Sequence, residues 1–290
     1  MDLEVVTGDI SGVAADAIVV GLLEGNDSLD GETGAVDAAL DGAIRQLIDQ
    51  GETKGKLGEN TLVHTLGKLP AARVVVAGLG KEVDLTEDKV RGVVAGTCRL
   101  LRGKGVRSIA TVPLGAGLAG IGDAAAAQVV AEGALLGLYR FRRHKSGGND
   151  DNGDIERLAI VAAGDERRQP LADGARLGEI LAGAAVLARD MGNEPSNFMT
   201  PSDMAREANE IATANGLEIE VLERQQMEKL GMGALLGVAR GSHQPPKFII
   251  MRYRGRRSKV VDIALVGKAI TFDSGGISLK SSAAMGDMNG

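Results

Sequence analysis

The first half of the chain alternates short apolar runs rich in β-branched residues with longer segments of helical periodicity, and this alternation limits the possible folds most strongly. Apolar runs of roughly four to eight residues between turn signals are typical of buried strands. The predicted strands are residues 3–6, 17–22, 73–79 and 108–114. Strands separated by helices form a mostly parallel sheet that is covered on both faces, so we predict an α/β fold.

Helical periodicity with start signals predicts helices at residues 86–102, 124–141, 171–191 and 201–215. Thr86 and Thr200 are suitable N-caps, and Pro201 suits the first helical position. Further strands are predicted at residues 157–162, 217–222, 247–253 and 260–266. The second half of the chain is therefore also predicted to be α/β.

Residues 144–154 (HKSGGNDDNGD) contain no apolar side chain and form the best candidate for a domain boundary. A chain of 290 residues also suits two domains, since domains usually have about 100–200 residues. We therefore predict domains at residues 1–143 and 155–290, joined by a linker at residues 144–154.

Composition argues against several classes of protein. The net charge is −6 and only 2% of the residues are aromatic, which is a poor match to a surface that binds nucleic acid. No apolar run approaches the length of about 18 residues that spans a bilayer. The first residues, MDLEVVTGDI, lack the basic and apolar regions of a signal peptide, so we expect a cytoplasmic protein.

Cysteine and histidine are too few and too scattered to form a metal site of their own. Cys98 is the one cysteine of the sequence and lies in the apolar stripe of a predicted helix, so we expect it to pack as a small core residue. His64, His144 and His243 show no ligand spacing, and we expect ordinary surface or hydrogen-bonded roles for them.

The stretch VGKAITFDSGGISLKSSAAMGDMNG (residues 266–290) carries the chemistry of the chain. It follows a predicted buried strand, and sites in open α/β sheets collect at such carboxyl ends. Lys268 and Asp273 are five residues apart, so a straight strand would place them on opposite faces and the backbone must turn for both to face one site. Gly275 and Gly276 allow the backbone to approach a ligand closely. From spacing alone, a surface ion pair is the alternative.

Three blocks of sequence together resemble the leucyl aminopeptidase family (cytosol aminopeptidase, peptidase family M17). They are the stretch just described, ARDMGNEPSNFMTP (residues 188–201) and LGMGALLGVARGS (residues 230–242). The resemblance is close over residues 171–290 and looser over residues 1–143. It implies a macro-domain-like N-terminal domain followed by the first part of a catalytic domain that binds two divalent metal ions.

The resemblance also implies roles for four residues. Lys268 corresponds to a lysine that binds one metal ion through a neutral amine, and Asp273 to a carboxylate that bridges both ions. Lys280 corresponds to a charged lysine that polarises the scissile carbonyl, and Met288 falls where the family lines the pocket for the first side chain. A free lysine has a pKa of about 10.4, so the first role requires burial or nearby cations. Zinc and manganese are the expected ions, because a nitrogen ligand among carboxylates suits them better than calcium.

The family pattern needs ligands beyond those in this sequence. By register, a further aspartate falls after Gly290, and an aspartate and a glutamate belong to an NTDAEGR-like motif downstream. Asp287 lies one turn too early for the first of these. Two dications would meet Asp273 as the only carboxylate of the family pattern, so we predict that the 290 residues alone neither hold the metal pair nor act as a peptidase. We expect a partial sequence whose parent is a hexamer that releases N-terminal residues from peptides.

Two other functions are suggested by local patterns. GAGLAG (residues 115–120) fits the dinucleotide fingerprint GxGxxG, but no acidic residue follows at the expected distance of about twenty residues. The opening VTGDISGVAADAIVVGLLEG resembles macro domains that bind ADP-ribose, although GLLEGND replaces the usual asparagine-rich strand end. A non-catalytic ADP-ribose or nucleotide module, or a DNA-binding regulator, is therefore the alternative to a peptidase.

Overall fold

The computed structural model describes residues 1–26, 29–144, 153–255 and 260–283. The chain forms two compact units, Met1–Leu187 and Ala188–Gly290. Among the described helices, none combines the length and the apolar character that crossing a membrane requires.

The first unit contains a mixed six-stranded sheet flanked by helices. Its strands are β1 (Asp2–Thr7), β2 (Ala17–Leu23), β3 (Asn60–His64), β4 (Arg73–Gly80), β5 (Ser108–Thr111) and β6 (Arg157–Ala162). Its helices are α1 (Gly31–Ala39), α2 (Ala43–Asp49), α3 (Glu87–Gly103), α4 (Asp123–Leu138) and α5 (Asp165–Asn193), and the last residues of α5 belong to the second unit. The sheet order is β1-β6-β5-β2-β4-β3, and all its pairs are parallel except β3 with β4.

The central strands are buried on both faces. Val74, Val75 and Val76 of β4 are each 0% exposed, although successive side chains of a strand point to opposite faces. The predicted α/β fold with a mostly parallel sheet is thereby confirmed. Strand β5 ends before the predicted residue 114, since Pro113 cannot donate a ladder hydrogen bond. Helix α5 begins six residues before the predicted start, with Pro170 inside it.

Strand β6 lies between β1 and β5, where Ile160 is in register with Val5 and Thr111. The first compact unit therefore extends past the predicted linker at residues 144–154, of which residues 145–152 lie outside the described part of the chain. Pairing with distant strands leaves no local signal in the sequence. The division into domains at residues 1–143 and 155–290 stays a prediction.

The second unit contains α6 (Pro201–Asn215), β7 (Glu218–Leu222), α7 (Arg224–Lys229), α8 (Gly233–Ala239) and β8 (Phe248–Arg252), with β7 and β8 paired antiparallel. Helix α6 begins with the predicted cap, since Thr200 Oγ1 accepts from the backbone N–H of Asp203 in a capping box. The hydrophobic core cluster, in contrast, lies entirely within the first unit. The buried apolar side chains described in the second unit are Met199, Ala208, Ala212, Leu222 and Met227.

Three charged side chains join α1, α4 and α5 within the first unit. Arg167 donates to both carboxylate oxygens of Asp123, at 3.0 and 2.7 Å, and lies 3.3 Å from Glu32 Oε1. All three side chains are about one-quarter to one-third exposed. The hydrogen bonds from Arg167 hold the pKa of Asp123 below its ordinary value of 3.8.

We expect Asp123→Asn to lower the free energy of unfolding by about 1–2 kcal/mol at neutral pH, since it removes a charge-assisted pair. Because the pKa of Asp123 is depressed in the folded state, its contribution is present above pH 3.8 and is lost as the pH falls through the folded value. Urea unfolding at pH 7 and at pH 3 measures both effects, and the variant should lose less stability on acidification than the parent. Asp49→Asn, at an exposed position of the same unit, is the control, with an expected change below about 0.5 kcal/mol. Equal acid sensitivity in parent and Asp123→Asn would contradict the assignment.

Candidate functional site

The predicted strand at residues 260–266 is not formed, and this prediction is wrong. The segment is irregular, and its valine, isoleucine and leucine side chains are 71–95% exposed. Its composition favours a strand, but a strand needs neighbours to satisfy its backbone and cover its side chains. Within the described residues, no ladder partner is assigned to it.

The chain after this segment bends so that Lys268 and Asp273 meet. Lys268 Nζ lies 2.6 Å from Asp273 Oδ2, and the backbone bends at Thr271 between the two residues. The prediction that the backbone turns between Lys268 and Asp273 is therefore confirmed. Their roles as metal ligands stay predictions.

Lys280 approaches the same carboxylate through a closed loop. Its Nζ lies 3.8 Å from Asp273 Oδ2, and its backbone N–H donates to Ser274 O at 2.9 Å. Gly275 donates its N–H to Asp273 Oδ1 at 3.0 Å. A Cβ at Gly275 would lie 2.4 Å from Ser278 O, and its φ of 88° suits glycine, so this position requires glycine twice over.

Sequence reasoning identified the three charged residues but missed the backbone groups that hold them. The N–H of Gly275 donates a hydrogen bond to one carboxylate oxygen of Asp273. The carbonyl oxygen of Ser274 accepts a hydrogen bond from the backbone N–H of Lys280 and so positions that residue. The sequence predicts that the pair of glycines lets a ligand approach the backbone closely. In the structure, the first glycine also makes room for the loop itself.

Lys268, Asp273 and Lys280 form a cluster in which two cations lie beside one anion. The hydrogen bond from Lys268 is the main cause that lowers the pKa of Asp273 below its ordinary value, followed by the hydrogen bond from Gly275 and the charges of both lysines. The side chain of Lys268 is 64% exposed, so the described residues do not supply the burial that a neutral amine ligand requires.

The described residues do not form a site for two divalent ions. Asp273 is the one carboxylate of the cluster, and no group of three His, Cys, Asp or Glu side chains able to hold a metal ion occurs in the described part of the chain. Two dications need more compensating negative charge than one carboxylate supplies. Met288, predicted to line a substrate pocket, lies outside the described residues, as do Met285 and Asp287.

The remaining candidate residues lie apart from this cluster. Cys98 is 3% exposed and burial raises its pKa to about 12, so the prediction that it packs as a core residue is confirmed. His64, His144 and His243 are exposed at separate positions.

The GxGxxG-like loop leads into α4, whose first residue is Asp123. Nucleotide phosphates bind the N-terminus of such a helix because its backbone dipole is positive there. The carboxylate of Asp123 already occupies the first turn and is bonded to Arg167. A phosphate would therefore meet a negative charge at this position, and the geometry gives no support to the nucleotide alternative.

Comparison with protein families matches both halves of the chain to one family. The model of the N-terminal domain of the cytosol aminopeptidase family matches residues 19–148, and the model of its catalytic domain matches residues 186–290. A probable cytosol aminopeptidase of Alkaliphilus oremlandii is 40% identical over 288 residues, which are 99% of this chain and 58% of that relative. The chain thus spans little more than half the length of the curated relatives that it matches.

Solved structures give the same fold. The bottromycin maturation enzyme BotP in complex with Mn is 30% identical, with a TM-score of 0.74 over 95% of this chain and 52% of that one. A mutant of tomato leucine aminopeptidase is 22% identical, with a TM-score of 0.70 over 86% of this chain and 50% of that one. At that identity the second likeness concerns the fold alone.

Proposed function

The chain belongs to the cytosol aminopeptidase family, and on that premise we propose that its complete protein is a metal-dependent aminopeptidase of the leucyl aminopeptidase type. It releases N-terminal residues from peptides by hydrolysis. The observation that carries this proposal is the convergence of Lys268, Asp273 and Lys280 in one glycine-turned loop. This loop lies in the stretch that matches the family's catalytic domain.

Each residue of the cluster has a proposed part in the complete site. Lys268 and Asp273 are metal ligands, and Asp273 is already positioned by the N–H of Gly275. Lys280 keeps its charge and faces the carbonyl of the scissile bond, where a fixed ammonium stabilises developing negative charge. Met288 lines the pocket for the first side chain. The described donors are too few to hold two ions by themselves.

Membership of the family supports proposals for the cofactors, assembly and location of the complete protein. We propose two divalent ions, zinc or manganese, and the description of BotP as a complex with Mn supports the second. A homo-hexamer is the proposed assembly, and peptides are the proposed substrates. The description of the relatives as cytosol aminopeptidases supports a cytoplasmic location.

A chimera tests the proposed activity directly. Residues 1–290 are joined to the part of the Alkaliphilus oremlandii relative that lies beyond its match to this chain. We expect manganese-dependent release of leucine from leucine p-nitroanilide and a loss of at least about 10³-fold in kcat/KM for Asp273→Asn. Glu228→Gln, at an exposed carboxylate on α7 of the same unit, should retain the parent activity. A folded, manganese-loaded chimera without hydrolysis, or full activity in Asp273→Asn, would refute the proposal.

Unlike the chimera, the 290-residue chain by itself should neither bind two metal ions nor hydrolyse peptides. We expect calorimetric titration with Mn²⁺ or Zn²⁺ to show no stoichiometric binding of two ions, because the cluster offers one carboxylate beside two lysines. The same preparation should not hydrolyse leucine p-nitroanilide above the background. Tight binding of two ions per chain would show that the unaided 290 residues complete a metal site.

A further inference from the structure

The first unit has a cleft at the carboxyl ends of β2 and β4, two neighbouring parallel strands, and we name it the β2–β4 cleft. Its volume is about 290 Å³, near the lower end of the range of about 300–1,000 Å³ that is usual for sites of small molecules. Binding sites of open α/β sheets collect at this edge. All its lining residues lie within the range that matches the family's N-terminal domain.

Backbone hydrogen bonds hold the walls of the β2–β4 cleft. Glu24 follows β2 and donates its backbone N–H to Gly80 O at 2.9 Å, and Gly80 donates its own N–H to Gly55 O at 2.8 Å. A Cβ at Gly80 would lie 3.1 Å from the Cβ of Leu57, so the loop before β3 packs closely against the end of β4. The shape of the cleft is therefore set by the backbone at the edge of the sheet.

The lining of the cleft carries charges of both signs in equal number. The carboxylates belong to Glu24 and Asp84, and the ammonium groups to Lys81 and Lys89. Lys89 Nζ donates to the backbone oxygen of Asp84 at 2.5 Å and retains two further N–H groups for a ligand. Within the described residues, no side-chain hydrogen bond or ion pair is assigned to Glu24, Lys81 or Asp84. These three side chains are therefore available to a ligand.

This lining favours a ligand that has both charges and an apolar part. A phosphate would meet two carboxylates, and a simple cation would meet two ammonium groups, whereas a zwitterion forms charge-assisted hydrogen bonds with both. Leu57 and Leu79 supply apolar surface, and the described lining has no aromatic ring on which a base could stack. We propose that the β2–β4 cleft binds a free α-amino acid with an apolar side chain.

Binding in this cleft does not depend on the proposed hydrolysis, although free amino acids are also what that hydrolysis releases. The cleft belongs to the first unit, and the cluster of Lys268, Asp273 and Lys280 belongs to the second. The 290-residue chain is therefore the suitable sample, since we expect it to bind leucine without hydrolysing peptides. Asp273→Asn should leave the affinity for leucine unchanged, which separates the cleft from the cluster.

Calorimetric titration of the 290-residue chain with L-leucine measures the binding. We expect one site per chain with a Kd of about 0.1–1 mM, as suits a small ligand held by a few charged contacts. Glu24→Gln and Lys81→Gln should each weaken the binding at least about tenfold, because each removes a charged partner of the ligand. Glu179→Gln on α5 and Lys104→Gln beyond the end of α3, both at exposed positions, are the matched controls and should bind leucine as the parent does.

Two analogues of leucine test which charge meets which residue. Isocaproate lacks the ammonium group and isoamylamine lacks the carboxylate, so each should bind the parent at least about tenfold more weakly than leucine. In Glu24→Gln the advantage of leucine over isocaproate should shrink, and in Lys81→Gln its advantage over isoamylamine should shrink. No binding of leucine up to about 10 mM, equal losses in the control variants, weaker binding in Asp273→Asn, or unchanged discrimination in both cleft variants would overturn the inference.

Discussion

Gly174→Ala is expected to lower the free energy of unfolding of the first unit by about 2–3 kcal/mol, although alanine is the better helix former. Gly174 lies on α5, where a Cβ would be 1.9 Å from Ala124 O and 2.7 Å from Ala124 Cα. Both atoms belong to the backbone of α4 and cannot move aside without moving the helix. Separation of α5 from α4 would also strain the hydrogen bonds between Arg167 and Asp123.

Gly183→Ala on the same helix is the matched control. A Cβ at Gly183 meets no atom within 4 Å, so only the helix preference of alanine remains. This variant should gain about 0.5–1 kcal/mol of stability. Denaturant unfolding followed by circular dichroism gives both values. Equal effects of the two substitutions would show that α4 and α5 do not pack at this distance.

Limited digestion with thermolysin is expected to remove the second unit while most of the first unit survives. The hydrophobic core cluster lies in the first unit, whereas the described part of the second unit buries few apolar side chains and exposes many. Cleavage follows local opening, and regions with few buried contacts open at low cost in free energy. We expect initial cleavage within residues 260–279 and a difference in rate between the units of at least about tenfold.

Intact-mass spectrometry of timed samples, at sub-micromolar chain concentration, identifies the surviving fragment. It should begin at Met1 and retain β1 to β6. Ile160→Ala removes a side chain that is 0% exposed in β6 and should make the first unit susceptible as well, since such a cavity costs about 2–5 kcal/mol. Loss of the first unit before the second in the parent chain would contradict this distribution of stability.

The sequence by itself determined many of the local elements and the family of the chain. Apolar periodicity located β2, β4, α3 and most of the other elements, because burial imposes a repeat of two or of 3.6 residues. Cap chemistry located the start of α6 at Thr200, since a side-chain oxygen there satisfies a backbone donor. The motif around Lys268, Asp273 and Lys280 identified the family from three short blocks.

Tertiary structure alone decided which distant elements meet. Three features join residues that are far apart in the sequence: β6 lies between β1 and β5, β3 pairs antiparallel with β4, and Arg167 contacts Asp123. Hydrophobic periodicity is a local property and does not predict such contacts. Residues 260–266 also show that local sequence does not decide the structure of a segment. Their composition predicts a strand, but strand formation depends on partners in space, and the described residues provide none. Local sequence determines what a segment can form, and its neighbours in space decide whether it forms.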